Sequence, residues 1–235
     1  MVWECVKTHS VAPVQVKETL ADCPLESWLT LDELIRYKTF RSHRRCADWL
    51  AGRLAAKQLL RLHIGETQNR WLLLGQIEIH NEPSGASAFR LIKTDFSVDK
   101  LSISISHSQG YAFCALAQSA DTVQVGADIE RVRPIPTRLL DKFLNDGEIA
   151  RLHVGLLSSP IAWWALKEAA LKSLRANEPL SVRDLTVSSM ECIELESEIQ
   201  ALVTVTRQHG PITVRCWRWS DFWQAVALSR SHTSR

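Results

Sequence analysis

Apolar residues recur along this chain with two periods. The longest 3.6-residue pattern covers roughly Ser42 to Leu62 and contains RRCADWLAGRLAAKQLLRL. Leu50, Leu54 and Leu62 share one spacing with Ala47 and Gln58, which predicts a helix with an apolar stripe. A second helix is predicted to start at Ser159-Pro160, because serine caps a helix and proline fits its first position. It carries WWALKEAALKSL, 163–174. On a helical wheel Leu166, Ala170 and Leu174 fall near Trp163 and form the buried stripe. Trp164, Glu168 and Lys172 follow another edge, each four residues from the last. Shorter helical pieces are expected near Thr137 to Leu144 and Glu148 to Leu152.

Elsewhere the period is two. WLLLGQIEIH, 71–80, reads as a strand, and NEPSGAS, 81–87, is turn chemistry. LSISISHSQGYAFCALA, 101–117, reads as a hairpin that turns at Ser108–Gly110. Leu101, Ile103 and Ile105 take one face and the serines the other. In VQVGADIE, 123–130, Val123, Val125, Ala127 and Ile129 face one way, and Gln124, Gly126, Asp128 and Glu130 the other. RPIP, 133–136, ends that strand. Beyond Leu185 the runs LTVSS, ALVTVT, ITVRCWRW and FWQAVAL alternate as short strands, and LSRSHTSR reads as a solvated tail. The class is therefore α/β (α+β), with no linker dividing the chain. Trp49, Arg53 and Lys57 are echoed by Trp164, Glu168 and Lys172, 115 residues on (49 to 164, 57 to 172). A helix-plus-sheet unit used twice produces such an echo, and so does chance between two Ala/Leu-rich helices.

A length of 235 residues suits one large domain or two small ones. A net charge of +2 gives no whole-chain field of the kind that coats nucleic acid. The six cysteines form no CxxC pair and no zinc-finger spacing, which points to free thiols in a reducing cytosol. No apolar run approaches ~20 residues, so no membrane span is expected. MVWECVKTHS lacks a basic start followed by an apolar core, so a cytoplasmic location is expected.

The candidate chemistry sits in four places. Alternation puts Asp128 and Glu130 on one face, roughly 7 Å apart, and Gly126 beside them leaves space for something to approach. They are either the wet side of an antiparallel sheet or, with a third carboxylate, an oxygen-rich site for Mg²⁺. Glu168 and Lys172 are neighbours on a helix face and read, on their own, as a surface ion pair. His107, with Ser104, Ser106 and Ser108, either makes structural hydrogen bonds or meets an anion. Arg41, Arg44, Arg45 and Arg53 either lie on a solvated face or bind phosphate, which would offset the cost of basic residues at a helix start.

Together these segments resemble the 4′-phosphopantetheinyl transferases. VGADIE followed by WWALKEAALK resembles their paired signature, a Gly-x-Asp-x-Glu strand and then a Trp-x-x-x-Glu-x-x-x-Lys helix. SISHS resembles their Ser-His element, and FLNDGEIARL the intervening stretch with a glutamate at the Glu148 position. WLAGRLAAK looks like the arginine-bearing helix of the longer, surfactin-synthetase-activating branch, whose length this chain shares. One departure is Asn81-Glu82-Pro83, which stands where the family often has Gly-Lys-Pro. Arg44, Arg53 or Lys93 would then replace the missing lysine.

The resemblance implies a pseudo-twofold pair of similar halves, each a small, mainly antiparallel sheet packed with a long helix. Residues 1–122 would carry the coenzyme A-binding helix and hairpin. Residues 123–235 would carry the metal-binding strand and the signature helix. The implied reaction moves phosphopantetheine from coenzyme A to a serine of an apo acyl or peptidyl carrier protein, in fatty-acid, polyketide or nonribosomal peptide synthesis, and releases 3′,5′-ADP. Asp128, Glu130 and Glu168 would hold Mg²⁺, with Glu168 also the base. Lys172 would stabilise the leaving group, Ser106 and His107 would bind phosphate oxygens, and Arg44 and Arg53 would meet the 3′-phosphate. Lys167 takes a lesser, supporting role. An internal pseudo-dimer implies a monomer, with neither nucleic acid nor membrane as partner. The rival classes are a Mg²⁺-dependent phosphohydrolase or nuclease, and a degenerate coenzyme A-binding, carrier-docking module.

Overall fold

The computed structural model describes residues 2–98, 100–118, 123–152, 158–174, 180–193, 198–205 and 210–230. The chain divides into two units, Met1–Asp121 and Thr122–Arg235. Each is built from one long helix laid on an antiparallel sheet, which is how each apolar helix face is removed from water.

The first unit runs through β1 (Val6–Val11), α1 (Pro13–Asp22), α2 (Leu25–Trp28), α3 (Leu31–Lys38), α4 (His43–Gln68), β2 (Ile77–Asn81), β3 (Ser87–Leu91), β4 (Leu101–Ser108) and β5 (Tyr111–Gln118). Its main sheet has the order β1-β5-β4, and β2 pairs with β3 as a separate ribbon. Helix α4 is 26 residues long, about 39 Å, starts at a Ser42 cap and ends at Asn69 in the left-handed conformation. Leu50, Leu54, Leu59, Leu60 and Ile64 are buried on it, whereas Leu62 is exposed. Steps of four residues drift around a helix, so Leu62 lies about 120° from Leu50 and leaves the core face.

The expected strand over 71–80 is shorter than its pattern. A 3-10 turn occupies Leu74–Gln76, and Trp71 and Leu73 are exposed. The hairpin β4–β5 turns at Gln109 and Gly110, both with positive φ (54° and 84°), as a two-residue turn requires. Its serine face is not wet: Ser102, Ser104 and Ser106 are all buried.

The second unit contains β6 (Val123–Arg131), α5 (Asp146–Ala150), α6 (Pro160–Leu174), β7 (Leu185–Ile193), β8 (Glu198–Val205), β9 (Ile212–Trp219) and β10 (Phe222–Arg230). The sheet order is β6-β10-β9-β8-β7, antiparallel throughout. Of the expected tail, 228–230 end strand β10, and 231–235 lie outside the described residues. Ser159 serves the start of α6 through its carbonyl, which accepts from Ala162 N at 3.0 Å. Its hydroxyl takes the Trp223 ring N–H at 3.0 Å. Trp163, Leu166 and Ala170 are buried as the wheel predicts. Leu174 is half-buried.

Gly126 fixes how closely α6 packs. A Cβ there would lie 1.9 Å from the Ala169 carbonyl oxygen and 2.5 Å from Ser173 N. The space beside the carboxylates is thus filled by helix backbone. Across the ladder Ala227 and Ala225 pair with Gly126 and Asp128, so small residues line this face of the sheet.

One buried ion pair is built twice. Thr30 and Glu33 form a capping box at α3, and the Glu33 carboxylate takes Lys57 Nζ at 2.7 Å and Ile79 N at 3.0 Å. Asn145 and Glu148 form the same box at α5, and the Glu148 carboxylate takes Lys167 Nζ at 2.6 Å and Val187 N at 2.8 Å. Lys57 also donates to the Trp28 carbonyl and Lys167 to that of Phe143, each carbonyl five residues before its glutamate. Lys167, given only a supporting role above, is therefore the counterpart of Lys57, 110 residues on (57 to 167). The helix register of the echo shifts from Lys172 to Lys167, while the two glutamates keep the 115-residue offset (33 to 148).

Gly126→Ala is expected to cost about 3 kcal/mol, since helix backbone cannot move aside cheaply; urea unfolding followed by tryptophan fluorescence checks this. Glu148 and Lys167 are 0% and 1% exposed. Lys167→Met should therefore cost about 3–5 kcal/mol by stranding a buried carboxylate. Adding Glu148→Gln should recover a large part of that loss in the same measurement.

Candidate active site

Each unit carries one cluster of charged side chains that its own core does not explain. In the first unit a cavity of about 750 Å³ is bounded by α3, α4, β2 and β4. Arg36, Arg44, Arg45, Arg53, His80 and His107 all line it. Arg53 is only 9% exposed. Its guanidinium carbon lies 4.5 Å from the centre of the Trp49 ring, and its Nε is buried without a hydrogen-bond partner. Burial pulls the Arg53 pKa down to about 10 against the opposing pull of Glu33, and Arg36 lowers it further. Arg36 and Arg45 lie against the Phe40 ring, at 5.5 and 5.2 Å from its centre. Stacking fixes a guanidinium while leaving its N–H edge to bind, so these walls suit an anion with several oxygens. His80 adds a buried Nδ1 without a partner.

Arg44, Arg53 and His107 are thus brought to one cavity. Ser106 is not: it alternates with His107 along β4 and is buried on the opposite side of the strand. Lys93 does not line the cavity either. Arg36 and His80 went unread in the sequence. The Thr30–Glu33 capping box was the available signal for Arg36, since it starts a helix that puts Arg36 one turn beyond Asp32 on the same wall.

In the second unit, β6 and α6 bring four predicted residues together. Lys172 Nζ donates to Asp128 Oδ1 at 2.6 Å, and Asp128 is buried. Glu130 is pushed up to about 7, first by burial and then by Asp128. Arg133, Lys172 and a hydrogen bond from the Trp164 side chain oppose that shift. Glu168 is also raised, chiefly by burial and also by Asp128, against Lys172. The Trp164 ring is held edge-on by Phe143, 5.3 Å between centres. Lys172 is therefore a counter-ion to the carboxylates rather than a member of an isolated surface pair.

Among the described residues, no three His, Cys, Asp or Glu side chains are already grouped to hold a metal ion. The donor chemistry nevertheless suits a hard divalent cation. Asp128 and Glu130 come from β6 and Glu168 from α6, and the negative charges of Glu130 and Glu168 are both penalised by Asp128. A cation there would relieve that repulsion.

All six thiols are free. Among the described residues, no helix is long and apolar enough to cross a membrane.

The family likeness that can be placed on the chain lies in the second unit. Residues 124–227 match the family model of the 4′-phosphopantetheinyl transferase superfamily. A holo-[acyl-carrier-protein] synthase of Lactococcus lactis subsp. lactis (strain IL1403) is 33% identical over 114 residues, covering 48% of this chain and 95% of the relative. Among solved structures, the chain is similar to a holo-(acyl-carrier-protein) synthase from Bacillus anthracis str. Ames in complex with CoA (3′,5′-ADP). That match has 21% identity over 47% of this chain and 91% of the other, with a TM-score of 0.40. A holo-[acyl-carrier-protein] synthase of Helicobacter pylori in complex with coenzyme A matches at 22% identity over 48% and 99%, with a TM-score of 0.35.

A carboxyl whose folded pKa is raised stabilises the fold while protonated, and that stability is lost as pH climbs through the folded value. Glu130 moves from its ordinary 4.5 to about 7. The melting temperature should therefore fall as pH rises from 4.5 to about 7. Glu130→Gln should flatten that fall in a thermal melt followed by circular dichroism. An unchanged slope in the variant would remove Glu130 as its source.

Proposed function

Because the chain belongs to the 4′-phosphopantetheinyl transferase superfamily, we propose that it moves the phosphopantetheine arm of coenzyme A onto a serine of an apo acyl or peptidyl carrier protein. The observation that carries this reading is the half-buried Asp128–Lys172 pair, flanked by Glu130 and Glu168. The reaction is a phosphoryl transfer, so positioning and charge neutralisation dominate it. The serine oxygen attacks the phosphorus that bears the pantetheine arm. The new P–O bond forms as the bond to 3′,5′-ADP breaks, and the serine proton leaves to a base.

Glu168 is the assigned base, because its raised proton affinity suits it to take that proton. Lys172, one turn on, supplies positive charge to the departing diphosphate oxygen. Asp128, Glu130 and Glu168 would hold Mg²⁺, which when bound would neutralise charge on the pyrophosphate. In the first unit, the fixed guanidinium of Arg53, with Arg44, Arg36 and His107, would take phosphate oxygens of coenzyme A. His80, rather than Lys93, stands in the cavity where the Gly-Lys-Pro lysine is missing.

We assign the chain to the longer, surfactin-synthetase-activating branch on its length and its two units. The Lactococcus relative spans about half of the chain. The part of the chain before the family-model match, residues 124–227, carries its own copy of the Glu–Lys clamp.

The experiment is to mix the protein with coenzyme A, Mg²⁺ and several apo carrier proteins, then look by mass spectrometry for the phosphopantetheine adduct. Wild type should yield it. Asp128→Ala should abolish it without unfolding the protein, and Lys172→Ala should slow it by about two orders of magnitude or more. Coenzyme A hydrolysis with no carrier adduct would contradict the transfer reading.

A further inference from the structure

Four carboxylates line the cavity; Asp32 and Glu78 pair with Arg90 and Glu33 with Lys57, which leaves Asp48 to be accounted for. A carboxylate among arginines repels the anion they bind, yet Asp48 lines that cavity and is only 9% exposed. Its oxygens have other uses. Oδ1 accepts the Gly110 backbone N–H at 2.7 Å, and Oδ2 lies 3.9 Å from Arg44 Nε. Gly110 closes the β4–β5 turn three residues after His107, with φ at 84°. From another side the turn meets α1, where a Cβ on Gly110 would lie 3.1 Å from Pro13 Cγ. A short carboxylate on α4 therefore ties down the turn that ends the His107 strand. A hydrogen bond to a charged acceptor is among the stronger local restraints.

We propose that Asp48 is a positioning residue: it anchors the β4–β5 turn to α4 and so sets where His107 is presented to the cavity. This rests on the reading that the cavity takes the phosphates of coenzyme A. Its assigned role runs through the Gly110 backbone rather than through the anion. It trades some repulsion of the anion for a fixed strand end.

Two substitutions separate anchoring from charge. Asp48→Asn keeps an oxygen acceptor for Gly110 and drops the charge. Asp48→Ala drops both. The measurements are the affinity for coenzyme A by calorimetry and the His107 ring signal by NMR in the ligand-free protein. Asp48→Ala should weaken binding about tenfold, the loss of one charged hydrogen bond, and should move the His107 signal. Asp48→Asn should bring affinity back to within about threefold of wild type and leave the signal near its wild-type position. Asp48→Ala added to His107→Ala should weaken binding little further.

Equal or tighter binding by Asp48→Ala would overturn the proposal, because removal of a repelling charge alone predicts that outcome. An unmoved His107 signal would overturn it too. If Asp48→Ala does not fold, Asp48→Ser, whose hydroxyl is too short to keep the contact, is read in its place. If wild type binds no coenzyme A, the functional reading fails separately, and the His107 signal in the ligand-free protein still decides the anchoring.

Discussion

Helix α6 lies so close to strand β6 that one methyl group at position 126 would overlap the Ala169 carbonyl oxygen. The second unit's charged cluster depends on that approach. It puts Lys172 Nζ 2.6 Å from Asp128 Oδ1 and half-buries Glu130 and Glu168 beside them. A larger residue at 126 would lift the helix and let water reach the carboxylates. Their proton affinities would then relax toward ordinary values. The glycine is thus a condition for the electrostatics, and Ala225 and Ala227 on the neighbouring strand keep the same surface low.

The duplicated Glu–Lys clamp does comparable work at the middle of each long helix, and the two copies diverge beside it. Arg36 and Arg151 each stand three residues after a clamp glutamate. In the second unit Arg151 turns inward, donates to the Val187 carbonyl at 2.6 Å and covers the Trp163 ring at 5.3 Å. In the first unit the residue 110 positions before Trp163 is Arg53, and Arg36 lies against Phe40 instead. One copy fills the place with indole, and the other leaves a cavity edged by guanidinium groups. The same scaffold yields a packed core in one unit and an anion-binding wall in the other.

How much of this was legible follows from where each signal resides. Local period and turn chemistry gave α4, α6, the β4–β5 hairpin and the strands after Leu185, because those signals are written within ten to twenty residues. The order of short motifs named Asp128, Glu130, Glu168 and Lys172. Burial of the β4 serines was hidden, since alternation says which residues share a face and not what covers it. The role of Gly126 was hidden for a related reason, as its partner Ala169 is distant in sequence. Lys57 and Lys167 read as polar interruptions in apolar helices. Only the positions of Glu33 and Glu148 reveal them as buried counter-ions.

The central claim is that Asp128, Glu130 and Glu168 act together on one divalent cation. It is tested most directly by soaking a crystal of the protein with coenzyme A and Mn²⁺ and recording anomalous scattering. The account predicts a single strong peak within bonding distance of carboxylate oxygens from β6 and α6. A peak elsewhere, or a bound nucleotide with no peak at those side chains, would contradict it.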